Sequence, residues 1–168
     1  MAFALQRPLH RESPRFALLP YFFCIMDTPS APAHAFQHTF IVDASDIDQL
    51  GHANNVAYVR WVQDIAAAHW HSFYPPTAEQ PPQVWVVQEH QIRYIRSAYA
   101  NEELRVSTWV ADVKGASSKR LTRIERVADG QLLCAAETQW VLLDASSGRP
   151  VRVPGEMIER LMPKALST

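Results

Sequence analysis

Residues Val56 to Phe73 run without a proline or a glycine, and Val56, Val59, Val62, Ile65, Ala66, His69 and Phe73 recur at spacings of three and four. That period belongs to a helix, and the length of the run predicts a single long one. Its charges are few. Arg60 and Asp64 lie four apart and share one edge, which leaves most of the circumference apolar and predicts a helix largely enclosed by other elements.

What encloses it follows in the chain. After the proline-rich loop Pro75 to Pro82 come four segments of strand composition, at about 84–94, 104–113, 119–127 and 131–143. The breaks between them are Asn101-Glu102, Lys114-Gly115-Ala116 and Asp129-Gly130, and Ser146-Ser147-Gly148 closes the last. Leu104, Val106, Thr108 and Val110 alternate, as do Leu132, Cys134, Ala136, Thr138, Trp140 and Leu142. Short connections make successive strands antiparallel. A further strand is predicted ahead of the helix at Phe36 to Val42, and Pro154-Gly155 opens a short terminal helix at Glu156 to Met162. The order of strand, long helix and four antiparallel strands is an α+β pattern in which one sheet wraps one helix.

Size and charge narrow the function. A chain of 168 residues with 48% hydrophobic and 20% charged content is one globular domain with a real core. Sixteen Lys+Arg against seventeen Asp+Glu give a net charge of -1, so no overall positive field exists to hold nucleic acid or an anionic membrane. The two cysteines, Cys24 and Cys134, form neither a disulfide scaffold nor a zinc-ligand set, and no metal site is expected. Residues 1–35 read as an N-terminal extension. Arg7, Arg11 and Arg15 precede the apolar run Phe16 to Met26, which is too short to span a bilayer. Ala33-His34-Ala35 has the small-residue look of a signal cleavage site, but Pro20 interrupts the apolar run. The expectation is that Met26 opens the natural chain, that 36–168 form the domain, and that the compartment is cytoplasmic.

The polar residues with chemical promise are contiguous: Asp46-Ile47-Asp48-Gln49-Leu50-Gly51-His52-Ala53-Asn54-Asn55-Val56-Ala57-Tyr58. Two carboxylates precede a glycine turn, and the turn feeds the start of the long helix, with Asn54 as its expected N-cap. Unpaired backbone N–H groups and the positive end of the helix dipole meet there and suit a polarised carbonyl or a developing oxyanion. A carboxylate a few residues earlier supplies a base or nucleophile. One short segment thus offers both requirements of acyl transfer to water.

This segment resembles the signature of the hotdog-fold 4-hydroxybenzoyl-CoA thioesterase family, Asp-x-Asp-x-x-Gly-(His)-x-Asn-Asn-x-x-Tyr, and acyl-ACP thioesterases share its second half. Tyr94 ending a strand, the hairpin at Gly115 to Arg120, and Arg149-Pro150 leading to Pro154 are similar too. The resemblance implies a hotdog fold of about five strands around one helix and hydrolysis of an acyl-CoA thioester without a cofactor. It implies Asp48 as the catalytic carboxylate and the Asn55 backbone N–H as the carbonyl-polarising donor. His52 and Asn54 then shape the turn or contact substrate, and Tyr58 faces the acyl pocket or a partner subunit. Lys114, Ser118, Lys119 and Arg120 on one hairpin are placed near coenzyme A phosphates, with Arg93 and Arg96 as alternatives. It also implies a homodimer or homotetramer with substrate between subunits. Ala44 and Asn55 depart from one branch, which carries Tyr and His there.

Other readings of the same residues stand beside these. Asp46 and Asp48 both suit Asx turns, and Asp46 is read as structural. His52 reads first as a hydrogen-bonded turn residue, and Tyr58, Trp61 and Trp70 read most simply as core or interface aromatics. His69 and His71 flank Trp70 and point to different helix faces, which argues against a metal pair. Alternation sends Glu89 and His90 to opposite faces of their strand. At the level of function, the competitors are a non-catalytic acyl-CoA or acyl-carrier-protein binding module and an acyl-ACP thioesterase.

Overall fold

A computed structural model describes residues 29–75 and 82–163. The expectations for the N-terminal extension, Met26 and Cys24 lie outside the described residues, apart from the last few positions before Phe36.

Five strands form one antiparallel sheet: β1 (Phe36–Ile41), β2 (Gln83–Tyr94), β3 (Glu103–Lys114), β4 (Ser117–Arg126) and β5 (Leu132–Asp144). Their order across the sheet is β1-β3-β4-β5-β2. The long helix α1 (Asn55–Phe73) connects β1 to β2 and so crosses from one edge of the sheet to the other. A short helix α2 (Gly155–Leu161) closes the domain. This is the hotdog architecture.

The strands are held by the patterns that predicted them. β4 alternates cleanly, with Ser118, Arg120, Thr122 and Ile124 buried against the helix side and their neighbours less so. Gly115, at φ 63°, turns the β3–β4 hairpin in a left-handed conformation that a Cβ would strain. In β2 a bulge falls between Val87 and Glu89. The extra residue resets the alternation, so that Trp85 opposite Leu142 and His90 opposite Thr138 both face the helix.

Two apolar clusters fill the space between sheet and helix. One joins Tyr58, Trp61, Val62 and Ile65 of α1 to Leu104, Val106, Ile124 and Leu133. The other lies beyond the far end of α1, where Val110, Leu142, Val153, Met157 and Leu161 pack with Trp70, Phe73 and Trp85. The helix is less enclosed than its composition predicts. A stripe at Val56, Arg60, Asp64, Ala67, Ala68 and His71 is exposed, because a single sheet covers only one side of a cylinder. Val56, whose spacing places it with the core, is 72% exposed.

Candidate active site

The segment ahead of α1 is built as a tightly closed turn. An isolated bridge pairs Ile47 with Ala53, and within it the Asp48 N–H donates to the His52 carbonyl at 3.0 Å and the Gly51 N–H to the Asp48 carbonyl at 3.0 Å. Gly51, at φ 83°, takes the left-handed conformation this reversal requires. The turn and the helix are also tied to the loop between β2 and β3. The Ala53 N–H donates to the Ala98 carbonyl at 2.8 Å. The Tyr58 hydroxyl accepts from the Ala98 N–H at 3.0 Å and donates to the Arg96 carbonyl at 3.4 Å.

The two carboxylates of the turn have different surroundings. Asp46 is 7% exposed, and both its oxygens lie 2.6 Å from Arg60 Nη2. Its bonding capacity is taken up in holding the turn to the helix, while Arg60 reaches Asp64 only at 4.0 Å. Asp48 is partly exposed. One of its oxygens accepts from the Leu50 N–H at 2.8 Å, an Asx turn, and the other lies 3.7 Å from His52 Nδ1. A single residue thus serves the local turn with Oδ1 and leaves Oδ2 toward solvent and an imidazole.

The helix start follows. Asn54 is the N-cap, its side chain accepting from the Val56 N–H at 2.9 Å, and the Ala57 N–H donates to the Asn54 carbonyl at 2.9 Å. Neither the cap nor the turn engages the Asn55 N–H, one of the amides that a helix leaves without an intrahelical partner. Exposed Asn55 offers this amide at the positive end of α1. Tyr94, from the end of β2, donates through its hydroxyl to the Asn55 carbonyl at 3.4 Å.

Asp48 and His52 therefore approach each other on the turn, and Asn54 and Asn55 follow at the exposed helix start that the turn feeds. Tyr58 does not join them. It is 3% exposed and sits in the core against Trp61 and Tyr94. Its position after the cap points it into the helix–sheet interface, where the hydroxyl anchors the chain at Arg96 to Ala98. Burial pushes that hydroxyl's pKa up.

The hairpin group is split as well. Ser118, Lys119 and Arg120 lie within β4 rather than in its turn, so the pleat sends their side chains alternately to the two faces. Lys119 reaches the outer face and pairs with Glu137 at 2.8 Å. It shares an outer hollow with Arg93. Ser118 and Arg120 point inward, 4% and 6% exposed, and belong to a cavity of about 280 Å³ between the far half of α1, the start of β2 and Trp140. The three cannot form one phosphate site.

Arg120 organises a buried network that the sequence reading missed. Its Nη1 donates to His69 Nδ1 at 2.9 Å and to Thr108 Oγ1 at 3.3 Å. A guanidinium has no acceptor, so His69 must accept and carry its proton on Nε2. Burial, then the Arg120 charge, push the His69 pKa down to about 4. A second network joins His90 to Thr138 at 2.9 Å and to Gln63 at 3.2 Å, and burial lowers the His90 pKa. The sequence carried one signal for the first: a charged residue at an inward position of an alternating strand. Among the described residues no cluster of His, Cys, Asp and Glu has the makings of a metal site.

The model of the acyl-ACP thioesterase N-terminal domain family matches residues 33–161. No curated protein matches the chain in sequence. Solved structures do match in fold. The probable thioesterase YbaW from Escherichia coli is 20% identical, with a TM-score of 0.62 over 74% of this chain and 95% of that one. A Staphylococcus aureus protein in complex with CoA is 16% identical, with a TM-score of 0.70 over 79% and 85%. A mutant 4-hydroxybenzoyl-CoA thioesterase complexed with 4-hydroxybenzoyl-CoA is 17% identical, with a TM-score of 0.69 over 77% and 99%.

Proposed function

The chain belongs to the acyl-ACP thioesterase N-terminal domain family and is a thioester hydrolase, and on that premise we propose that it cleaves acyl-CoA thioesters at the start of α1. The observation that supports this is the closed turn, which leaves one oxygen of Asp48 facing His52 and feeds directly into the exposed start of α1, where the Asn55 N–H is not engaged. The thioester carbonyl accepts from the Asn55 N–H, which together with the helix dipole stabilises negative charge as it develops on oxygen. Asp48 acts as base on a water or as nucleophile on the carbonyl carbon. The carbon–sulfur bond breaks, CoA leaves as its thiol, and the acyl group ends as a carboxylic acid. His52 stands next to the working oxygen of Asp48. No cofactor is required beyond the CoA carried by the substrate. CoA is favoured as the carrier because two of the fold's neighbours were solved with CoA or an acyl-CoA. The matching family, that of acyl-ACP thioesterases, favours an acyl carrier protein as the second reading.

The test is thiol release from acyl-CoAs and, in parallel, acyl carrier protein thioesters, by wild type and Asp48→Asn. Loss of a positioned acid–base group lowers kcat about 10²- to 10⁴-fold. Equal rates in the two proteins would falsify the role given to Asp48, and turnover confined to the carrier protein would transfer the proposal to the second reading.

The unpaired edge of β2 supports a dimer, since a twelve-residue strand with open hydrogen-bonding groups invites pairing. Antiparallel pairing of two copies about the middle of β2 sets Tyr94 of one against the Gln83 end of the other, a strand spacing of about 4.8 Å away. The helix start of one subunit then neighbours the cavity of its partner. Sedimentation as a monomer at micromolar concentration overturns this arrangement.

A further inference from the structure

The cavity at the far half of α1 has an unusual lining for an acyl pocket. Most of its wall is apolar, from Ala66, Trp70, Trp85 and Leu161, and its polar lining from Gln63, His71, Gln83 and Ser118 includes one cation, Arg120. Arg120 is 94% buried by its 6% exposure, and among the described residues no carboxylate pairs with it; its hydrogen-bond partners are a neutral imidazole and a threonine hydroxyl. At a pKa of about 10, lowered by burial, it is still a cation at neutral pH. Ser118, 4% exposed, lines the same space. A buried charge is costly without a counter-charge.

One ligand chemistry meets this deficit. An ionised carboxylate is an acceptor with no donor, takes a guanidinium in charge-assisted hydrogen bonds, and has lone pairs to spare for a hydroxyl. The remaining wall suits a hydrocarbon. An apolar cavity of about 150 Å³ already holds a benzene ring, so about 280 Å³ holds an aryl group or a chain of moderate length. We infer that the acyl group of the substrate ends in a carboxylate, which is held by Arg120 and Ser118 in this cavity and reaches it from the helix start of the partner in the β2-paired dimer proposed above. This rests on the thioesterase reading above and names its substrate class: the monothioester of a dicarboxylic acid.

The test compares acyl-CoAs of equal length in pairs, hexanoyl-CoA with adipoyl-CoA and decanoyl-CoA with sebacoyl-CoA, for wild type, Arg120→Met and Ser118→Ala. The readout is the ratio of kcat/KM within each pair. Wild type prefers the carboxyl-ended member of at least one pair. A hydrogen bond to a charged group is worth about tenfold or more, so Arg120→Met lowers the ratio by that factor. Ser118→Ala, which removes only one hydroxyl, lowers it about threefold to tenfold. It serves as the measurement should Arg120→Met not fold. A wild-type preference for the methyl-ended member of both pairs, or a ratio that neither variant changes, overturns the inference. If no thioester is cleaved, the thioesterase reading fails by itself, and titration calorimetry with free sebacate then decides. Binding by the full chain that weakens in Ser118→Ala supports the carboxylate site, and absence of binding overturns it.

Discussion

At the N-terminal end of α1 the polar groups that matter sit in one continuous segment, 46–55, on an exposed turn whose backbone is pinned by its own hydrogen bonds. At the C-terminal end they come from α1, β3, β4 and β5 and are buried. On the reading proposed above, the first arrangement supplies reactivity, through a carboxylate oxygen and a helix-start amide near the surface. The second supplies shape and charge in a largely apolar cavity, where a buried cation without a counter-charge selects what enters. That reading separates reaction from recognition, one at each end of α1. The Asp48→Asn loss, the largest effect expected here, probes the first end. The effects below probe whether the two ends differ as described.

The buried end should betray itself through pH. His69 has an unfolded pKa near 6.5 and a folded one of about 4. Between these values the unfolded chain binds the extra proton and the folded protein does not, so stability falls as pH falls through that window and this contribution is fully present above it. The drop reaches up to about 3 kcal/mol, from the size of the shift. Urea unfolding of wild type and His69→Gln at neutral pH and near pH 4.5 isolates it. Wild type should lose more stability than the variant, because glutamine can accept from Arg120 without titrating. Equal losses would mean that His69 takes up its proton freely in the folded protein, and the buried end would be wetter than described.

The same contrast explains what was legible in the sequence. The helix, its Asn54 cap, the five strands and the turn ahead of the helix were all readable, because each depends on residues close together in the chain. The bulge in β2 was not, since one extra residue is defined only by the partner strand. Nor was the Arg120 network, which joins positions 69, 108 and 120. Proximity in sequence misled at the hairpin: the pleat parts Lys119 from Ser118 and Arg120, because the strand begins at Ser117. Tyr58 shows the limit of a motif. Its presence in the pattern was plain, but its task of tying the helix to Ala98 depends on a loop forty residues away.

The smallest effect tests the division of labour within the turn itself. Asp46 is buried against Arg60, and removing one partner of a buried ion pair typically costs about 3–5 kcal/mol because the other charge is stranded. Arg60 is not stranded here, since 54% of its side chain remains exposed to water, so the cost of Asp46→Ala should fall to about 1–2 kcal/mol. Asp48→Asn keeps an oxygen for the Leu50 N–H and should change stability by no more than about 0.5 kcal/mol. Measured side by side by urea unfolding and thiol release, the two substitutions should separate. Asp46→Ala lowers stability and leaves the folded protein active, and Asp48→Asn does the reverse. If Asp46→Ala instead abolished turnover at unchanged stability, the carboxylate held by Arg60 would be the reacting one, and the free oxygen of Asp48 would be an ordinary turn.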